Sequence, residues 1–324
     1  MSGLVTALAS GAALAVALAA APAALADSSQ SSNWAGYAVH RSGISFRTAS
    51  GTWVQPHANC TPGTPGYSSV WVGIGGFSTS SQALEQIGTE LDCTASGREV
   101  STAWYELVPA ASHTVRLTID PGDRVRASVT IAGTRVRLSI DDLTRHRALT
   151  RTRRASVLDA GSAEWIVEAP SECAGDSNCR TLPLADFGSA AFTTARAQSA
   201  TGHSGSIADA AWTTTRITLA ETGRRFIGYG AGTGTGAQAT PSALAAGGRG
   251  FTVTYAGGSS TTAAASPGTA SPGTGSSSAG SGAATTGGVT TGGVTTGGVT
   301  TGGVTTGGVR AAAAAVVRPG GLRR

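Results

Sequence analysis

The sequence predicts an all-β protein, an antiparallel sandwich of two β-sheets. Apolar residues alternate with polar ones over three successive runs, 115–119, 125–131 and 136–140. A period of two is that of a strand with one buried face, and short glycine-containing turns join the three runs into a meander. No long helical period occurs within 33–256. Two such sheets can bury each other's apolar faces, which favours a sandwich.

The remaining strands are predicted from shorter runs of apolar, aromatic and β-branched residues beside turn signals. In chain order these runs are 32–39, 48–54, 69–73, 83–92, 100–108, 162–168 and 251–255. A basic run of five arginines over 145–154 follows the meander. We interpret it as the solvated outer face of a strand; a patch for anionic polymers is the alternative.

Residues that can build a core are confined to one part of the chain. All seventeen Trp, Tyr and Phe residues lie between Trp34 and Tyr255, which predicts a single domain over 27–258. The formal charge of +5 is also unevenly distributed: this domain holds nineteen Arg and eighteen acidic residues, a net +1. The charge therefore gives no reason to expect a nucleic-acid partner.

The first 26 residues predict a signal peptide. They carry no charge, are dominated by Ala, Leu and Val, and end Ala24-Leu25-Ala26 before Asp27, which matches the small-x-small rule for signal peptidase. A transmembrane anchor is the alternative, but Pro22 and the cleavage-like end favour export. We therefore expect a secreted protein without an integral membrane anchor.

Four cysteines agree with an oxidising compartment. Cys173 and Cys179 flank a five-residue, turn-forming loop that a disulfide can close, and a Cys60–Cys93 bridge would complete the set. Three pairings are formally possible, and this is the one that we predict. A zinc site is the alternative, although no His has a ligand-like spacing beside the cysteines.

The chain beyond the predicted domain contains no core-forming stretch. Residues 259–309 consist of small residues and end in five copies of Thr-Thr-Gly-Gly-Val over 285–309, which predicts a flexible linker. Residues 310–324 form an Ala- and Arg-rich tail of unassigned role. Its run of seven apolar residues is too short to span a bilayer.

The strand predicted over 162–168 gives the first sign of a functional site. Glu164, Ile166 and Glu168 share one face of it, and the small and aromatic residues between them share the other. Ionised carboxylates are costly to place among large apolar groups unless they are paired, solvated in a groove or functional.

Other chemistries have weaker support. The five His residues show no spacing typical of a metal site or a triad, and Gly202–Ser206 lacks the closing glycine of a nucleophile elbow. As glycosidase acids, Glu164 and Glu168 would lie about 13 Å apart on one strand, beyond the roughly 5–9.5 Å that such pairs need. We expect no metal and no cofactor.

Five separate segments carry a more specific pattern. They are Ser32–Gly36 (SNWAG), Trp71–Ile74 (WVGI), Ala83–Gly88 (ALEQIG), Ala103–Glu106 (AWYE) and Ala163–Glu168 (AEWIVE). In this order and with these separations, the segments resemble the glutamic peptidases, or eqolisins, over residues 32–256. The short loop between Cys173 and Cys179 also matches that family.

The resemblance implies a concanavalin A-like sandwich with a catalytic dyad in a groove on one sheet. Carried over by position, the dyad is Gln86 and Glu168: Glu168 acts as general base and then acid, and Gln86 stabilises the oxyanion. Trp71, Glu106 and Glu164 would line or support the groove. The implied activity is endopeptidase cleavage of polypeptides without a cofactor, in acid because a carboxylate has a reference pKa near 4. We further expect a monomer.

Two departures from the family pattern bear on the pH range. An acid that follows Trp-Val-Gly-Ile in fungal members is Gly75 here, and another before Ala-Trp-Tyr-Glu is Thr102. Losing two groove acids should move the pH optimum toward neutrality. A lectin-like, carbohydrate-binding sandwich and a catalytically inactive homologue are the alternative functions, because fold alone does not decide function.

Overall fold

The computed structural model describes residues 26–173, 179–224, 226 and 237–257, with only the backbone of Cys173 and Cys179. The predicted signal peptide before Ala26, the linker over 259–309 and the tail over 310–324 lie outside the described residues. The predicted Cys173–Cys179 disulfide also lies outside them.

The described residues form eighteen strands and no helix. The strands are β1 Asp27–Ser31, β2 Trp34–His40, β3 Phe46–Val54, β4 Gly66–Gly75, β5 Leu84–Cys93, β6 Glu99–Val108, β7 His113–Val115, β8 Arg124–Ala132, β9 Arg135–Asp142, β10 Arg147–Arg154, β11 Ser162–Glu168, β12 Ser171–Cys173, β13 Cys179–Thr181, β14 Ser189–Ser199, β15 Ser204–Gly205, β16 Thr213–Leu219, β17 Ala237–Pro241 and β18 Phe251–Gly257.

Sixteen of these strands form one curled sheet. Its order is β10-β9-β8-β3-β14-β18-β17-β16-β2-β11-β4-β5-β6-β7, with β1 added to β16 and β15 to β14. All pairings in it are antiparallel except that of β1 with β16. The sheet folds back on itself, so that β4, β5 and β11 pack against β3, β8, β9 and β14. The predicted antiparallel β-sandwich is confirmed.

The main core lies between the two layers. Trp165 of β11 points into it, is fully buried, and donates its indole N–H to the carbonyl of Ser50 on β3 at 2.8 Å. A Cβ added to Gly51 would lie only 2.9 Å from the Trp165 ring, so glycine at this position makes room for the indole. This contact joins the layer that carries β11 to the opposite layer.

The outer face of β2, β11, β4, β5 and β6 carries a second, smaller apolar cluster, and we call it the groove face. Trp34, Trp71, Trp104, Ile166 and Phe226 are its largest members, and all are buried. Because side chains alternate along a strand, Glu164 and Glu168 lie on this face while Trp165 enters the main core. The predicted division of residues 162–168 between two faces agrees with this arrangement.

One predicted element is wrong. The run over 115–119 is not a strand of the meander: β7 ends at Val115, and the three-stranded meander is β8-β9-β10 instead. Leu117 and Ile119 are buried in the connection that leads to β8. The alternation of apolar and polar residues over 115–119 reflects the burial of these side chains, although residues 116–119 are not part of a strand. The basic run enters β10, at the edge of the sheet.

A disulfide joins Cys60 to Cys93, with their Cα atoms 5.2 Å apart. It ties the connection after β3 to the end of β5. Among the described residues, no helix is long and apolar enough to cross a membrane.

Candidate active site

A row of polar side chains crosses four neighbouring strands on the groove face. The register aligns Glu164 of β11 with Gly73 of β4, Gly73 with Gln86 of β5, and Gln86 with Glu106 of β6. Adjacent strands lie about 4.8 Å apart, so the three functional side chains share one short line. The sequence motifs that carry them are far apart in the chain, and the sheet brings them together.

Gln86 is fixed by Glu106. Its side-chain Nε2 donates to Oε2 of Glu106 at 2.7 Å, and only 1% of the residue is exposed. An amide nitrogen has two N–H groups and a carboxylate can only accept, so this contact orients the amide. The Oε1 atom of Gln86 has no hydrogen-bond partner among the described residues. Gln86 therefore has one N–H and one carbonyl oxygen available for a ligand.

Glu168 is held at the other end of β11. Asn33 Nδ2 donates to its Oε1 at 3.2 Å, and the indole N–H of Trp71 donates to its Oε2 at 2.8 Å. Asn33 also exchanges two hydrogen bonds with the backbone of Phe226, both at 3.1 Å. Donors from two different parts of the chain thus hold both carboxyl oxygens, so this carboxyl group is anchored in place.

The structure places Gln86 and Glu168 on the same face but not on neighbouring strands. Strand β4 lies between them, and Glu168 pairs with Ser69, four residues along β4 from Gly73, the partner of Gln86. Four residues of strand span about 13 Å. Of the two glutamates on β11, Glu164 is the one in register with Gln86, through Gly73 of β4.

Glu164 is fully buried, and neither carboxyl oxygen has a hydrogen-bond partner in bonding geometry among the described residues. Burial raises the pKa of Glu164 well above its usual value; the Ser162 hydroxyl partly offsets this, while the charges of Asp159 and Glu85 add to it. Glu164 therefore keeps its proton to a higher pH than an exposed glutamate does.

Apolar side chains cover the row. A Cβ added to Gly73 would lie 2.9 Å from the Trp71 ring and 3.0 Å from the Leu84 side chain. Trp71 meets Trp34 edge to face at 5.0 Å, and Trp34 stacks on Phe226 at 4.7 Å. A substrate that reaches Gln86 must displace part of this cover.

Arg224 and Phe77 also belong to the cover, and these two residues and Phe226 were missed in the sequence. The Arg224 guanidinium lies 4.1 Å from the Phe226 ring centre and 5.2 Å from that of Phe77, and it donates to the Phe77 carbonyl at 2.8 Å. Cation–π contacts of this kind need a facing ring and cation, and Phe77 lies 147 positions from Arg224 in the sequence. No motif signal could have found them, whereas Asn33 lies within the SNWAG segment.

Within the described part of the chain, no group of three or more His, Cys, Asp and Glu side chains is placed to hold a metal ion. What the arrangement offers is a carboxyl group, an oriented amide and a second anchored carboxylate on one sheet face. These are the groups for acid–base chemistry and for stabilising a developing oxyanion.

Two peptidases are among the solved structures that the chain resembles. Scytalidoglutamic peptidase, solved with a peptide-based transition-state analogue, matches at 25% identity and a TM-score of 0.55, over 69% of this chain and 98% of that one. SCP-B, an eqolisin solved with the tripeptide Ala-Ile-His, matches at 24% identity and a TM-score of 0.51, with the same coverage. No curated protein sequence matches the chain.

Fold and family match together define a glutamic-type peptidase, a hydrolase of peptide bonds. The model of the peptidase A4 family matches residues 32–227, which is more than half of the 324-residue chain. The chain therefore belongs to the peptidase A4 family, and the resemblance to the eqolisins is confirmed.

Proposed function

We propose that this peptidase is a secreted endopeptidase that cleaves polypeptides with Gln86 and a glutamate of β11. The observation that carries the proposal is the row Glu164–Gly73–Gln86–Glu106. The Gln86 amide, whose carbonyl oxygen has no partner among the described residues, lies two strands from the Glu164 carboxyl group, and Gly73 between them has no side chain. The Trp71 ring and the Leu84 side chain cover Gly73, so a peptide carbonyl and a water molecule reach this line only when that cover moves.

Glu164 is the better general base of the two glutamates on β11. The base, the water and the oxyanion donor must all lie within hydrogen-bond reach of one carbonyl group. Glu164 is in register with Gln86 across one intervening strand, so of the two glutamates it lies nearer to Gln86 along the strand direction. Glu168, predicted from the sequence as the base, lies about 13 Å further along the strand and is already engaged by Asn33 and Trp71. We assign it to positioning Trp71.

The proposed reaction follows from these groups. Ionised Glu164 takes a proton from water as the oxygen attacks the peptide carbonyl carbon, and the free N–H of Gln86 donates to the developing oxyanion. Glu164 then returns the proton to the leaving nitrogen as the C–N bond breaks. Glu106 keeps the Gln86 amide in the required orientation throughout.

The pH range follows from burial. A carboxylate base usually favours acid, but the raised pKa of Glu164 delays its ionisation. Activity should therefore rise with pH through the pKa of Glu164 in the free enzyme. We propose activity that extends from acid toward neutral pH.

Secretion is supported by two features. One is the uncharged N-terminal stretch that ends Ala24-Leu25-Ala26, and the other is the Cys60–Cys93 disulfide, which is typical of extracellular proteins. We propose residues 27–258 as the catalytic domain, acting as a monomer.

Cleavage of casein between pH 3 and 8 by Gln86→Ala, Glu164→Gln and Glu168→Gln tests the assignment. Removing the oxyanion donor or the base should lower kcat at least about 100-fold, whereas Glu168→Gln should cost less than about 10-fold. Glu172→Gln on the β12–β13 hairpin, where Glu172 forms an exposed ion pair with Arg180, is the matched control. If Glu164→Gln keeps full activity and Glu168→Gln loses it, the general base is Glu168.

A further inference from the structure

The positive charges of the domain are concentrated in one of its two layers. Strands β3, β8, β9, β10 and β14 carry ten arginines and two aspartates, whereas the rest of residues 27–258 carries nine arginines and sixteen acidic residues. The small net charge of the domain therefore conceals a strongly basic layer. This layer packs against β4, β5 and β11, so its outer face and the groove face lie on opposite sides of the sandwich.

The outer face of these five strands is polar, and we call it the basic face. Because side chains alternate along a strand, Val129 and Leu138 enter the main core while the residues between the core positions point outward. The register places the outward side chains in rows that cross all five strands. Two adjacent rows are Thr150, Ser139, Ser128, Ser50 and Arg196, and Thr152, Arg137, Thr130, Thr48 and Gln198.

Three arginines of the basic face have no acidic partner. Arg135, Arg137 and Arg196 are exposed, and none of the ion pairs in the described part of the chain involves them. Of the two aspartates in these strands, Asp141 already pairs with an arginine of β8 at 2.7 Å, and Asp142 is buried. The three guanidinium groups are therefore available to an anion from outside.

Protection of the sheet edge does not explain this arrangement. Arg154 of the edge strand β10 lies directly opposite Arg135 of β9, and like charges in that position destabilise a sheet. Charged side chains on an edge strand can prevent aggregation, which accounts for Arg154. It does not account for Arg137 and Arg196, because β9 and β14 each have a neighbouring strand on both sides.

The side chains of the basic face indicate the class of ligand. A guanidinium group binds a carboxylate through two parallel hydrogen bonds, and Ser and Thr hydroxyls both donate and accept. Rows of hydroxyls between arginines suit a polymer that carries hydroxyl groups as well as negative charges. Neither row contains an aromatic side chain on which a nucleic-acid base could stack, or a large apolar side chain that could enter a membrane.

We propose that the basic face binds an acidic polysaccharide, a chain of sugars that carries carboxylate groups. Arg137 and Arg196 contact the carboxylates, and the Ser and Thr rows between them contact the sugar hydroxyls. A protein bound in this way keeps its groove face open to solvent, since that face lies on the other layer. The proposal does not depend on which groups of the groove face react.

Binding of the full chain to polygalacturonate, measured by isothermal titration calorimetry at low salt, tests the proposal. Arg137→Thr/Arg196→Thr should weaken binding about 5-fold or more, because each lost guanidinium removes a charge-assisted contact. Threonine suits a strand and already occurs beside both positions in the rows. Wild-type binding should also weaken as salt is raised, since exposed charges are screened.

The matched control is Arg98→Thr/Arg116→Thr. It removes the same charge from two exposed positions outside the five strands and should weaken binding less than about 2-fold. Both variants keep the arginines of residues 310–324, so the difference between them reports on the domain.

Three results would overturn the proposal: no binding by the wild type, unchanged binding by Arg137→Thr/Arg196→Thr, or an equal loss in the control. Tighter binding of the wild type to duplex DNA or to phosphatidylglycerol vesicles than to polygalacturonate would overturn it as well. Urea unfolding checks that the double variant is folded. If its midpoint falls, Arg137→Thr alone takes its place and should weaken binding about 2-fold or more.

Discussion

Glu85→Gln should stabilise the protein at neutral pH, because Glu85 carries its carboxyl group on the face of β5 that points into the main core. It pairs with Ile74 and Leu107, both core residues, and its carboxyl oxygens have no partner in bonding geometry among the described residues. Burial, with a further contribution from the charge of Asp159 and an opposing one from its own backbone, raises the pKa of Glu85 from 4.5 to about 9.

The size of the effect follows from proton linkage. Between pH 4.5 and about 9 the folded protein keeps a proton on Glu85 that the unfolded chain has lost, so stability falls as pH rises through this window. The loss is about 1.4 kcal/mol per pH unit, which amounts to roughly 3 kcal/mol by pH 7. Glutamine has a similar shape and no titration. The variant should match wild type near pH 4 and exceed it by roughly 3 kcal/mol at pH 7.

Urea unfolding at pH 4, 5.5 and 7 measures the difference, provided that the transition is two-state. Glu172→Gln, which removes an exposed glutamate, should change stability by less than about 1 kcal/mol and leave the pH dependence unaltered. Parallel stability curves for wild type and Glu85→Gln would refute the reasoning, since they would mean that Glu85 ionises alike in the folded and unfolded chain.

Two other predictions follow from single contacts. Glu106→Gln should lower kcat about 10-fold or more with little change in KM, as measured by steady-state kinetics on one peptide. The new amide at position 106 can donate as well as accept, so it also permits the flipped orientation of the Gln86 amide. Arg145→Ala should cost about 3 kcal/mol of unfolding free energy, since Asp123 and Asp142, its buried ion-pair partners, lose their cation. Arg126→Ala, which breaks an exposed pair with Asp141, should cost less than about 1 kcal/mol in the same denaturation assay.

The sequence predicted the fold class well because period-two alternation is a local signal. Strand β11 and the division of its residues between two faces needed no tertiary information. The same signal failed at 115–119, since Leu117 and Ile119 are buried in an extended connection that forms no ladder. Alternation reports which side of the chain is buried, and hydrogen bonding to a neighbouring strand is a separate property.

The site was predictable only to the level of its strands. Glu164 and Glu168 share a face, so local pattern could not choose between them; the choice depends on the register of β11 against β4 and of β4 against β5. Register is fixed by turns and by packing over the whole sheet. Asn33, which anchors Glu168, and Arg224, which covers the site, act across more than one hundred positions of sequence.

The stability lost by burying polar side chains on the groove face is itself an argument for function. A buried sheet face that carries Gln86, Glu106 and Glu164 gives up stability that apolar residues would supply, because buried polar groups need partners. Gln86 and Glu164 have side-chain oxygens without a hydrogen-bond partner in bonding geometry among the described residues. Glu85 adds a comparable cost on the core face, where it touches no substrate. Burial, with a smaller contribution from the charge of Asp159, raises the pKa of both Glu85 and Glu164, so both faces of the sheet carry a buried acid that keeps its proton to a higher pH than an exposed glutamate does.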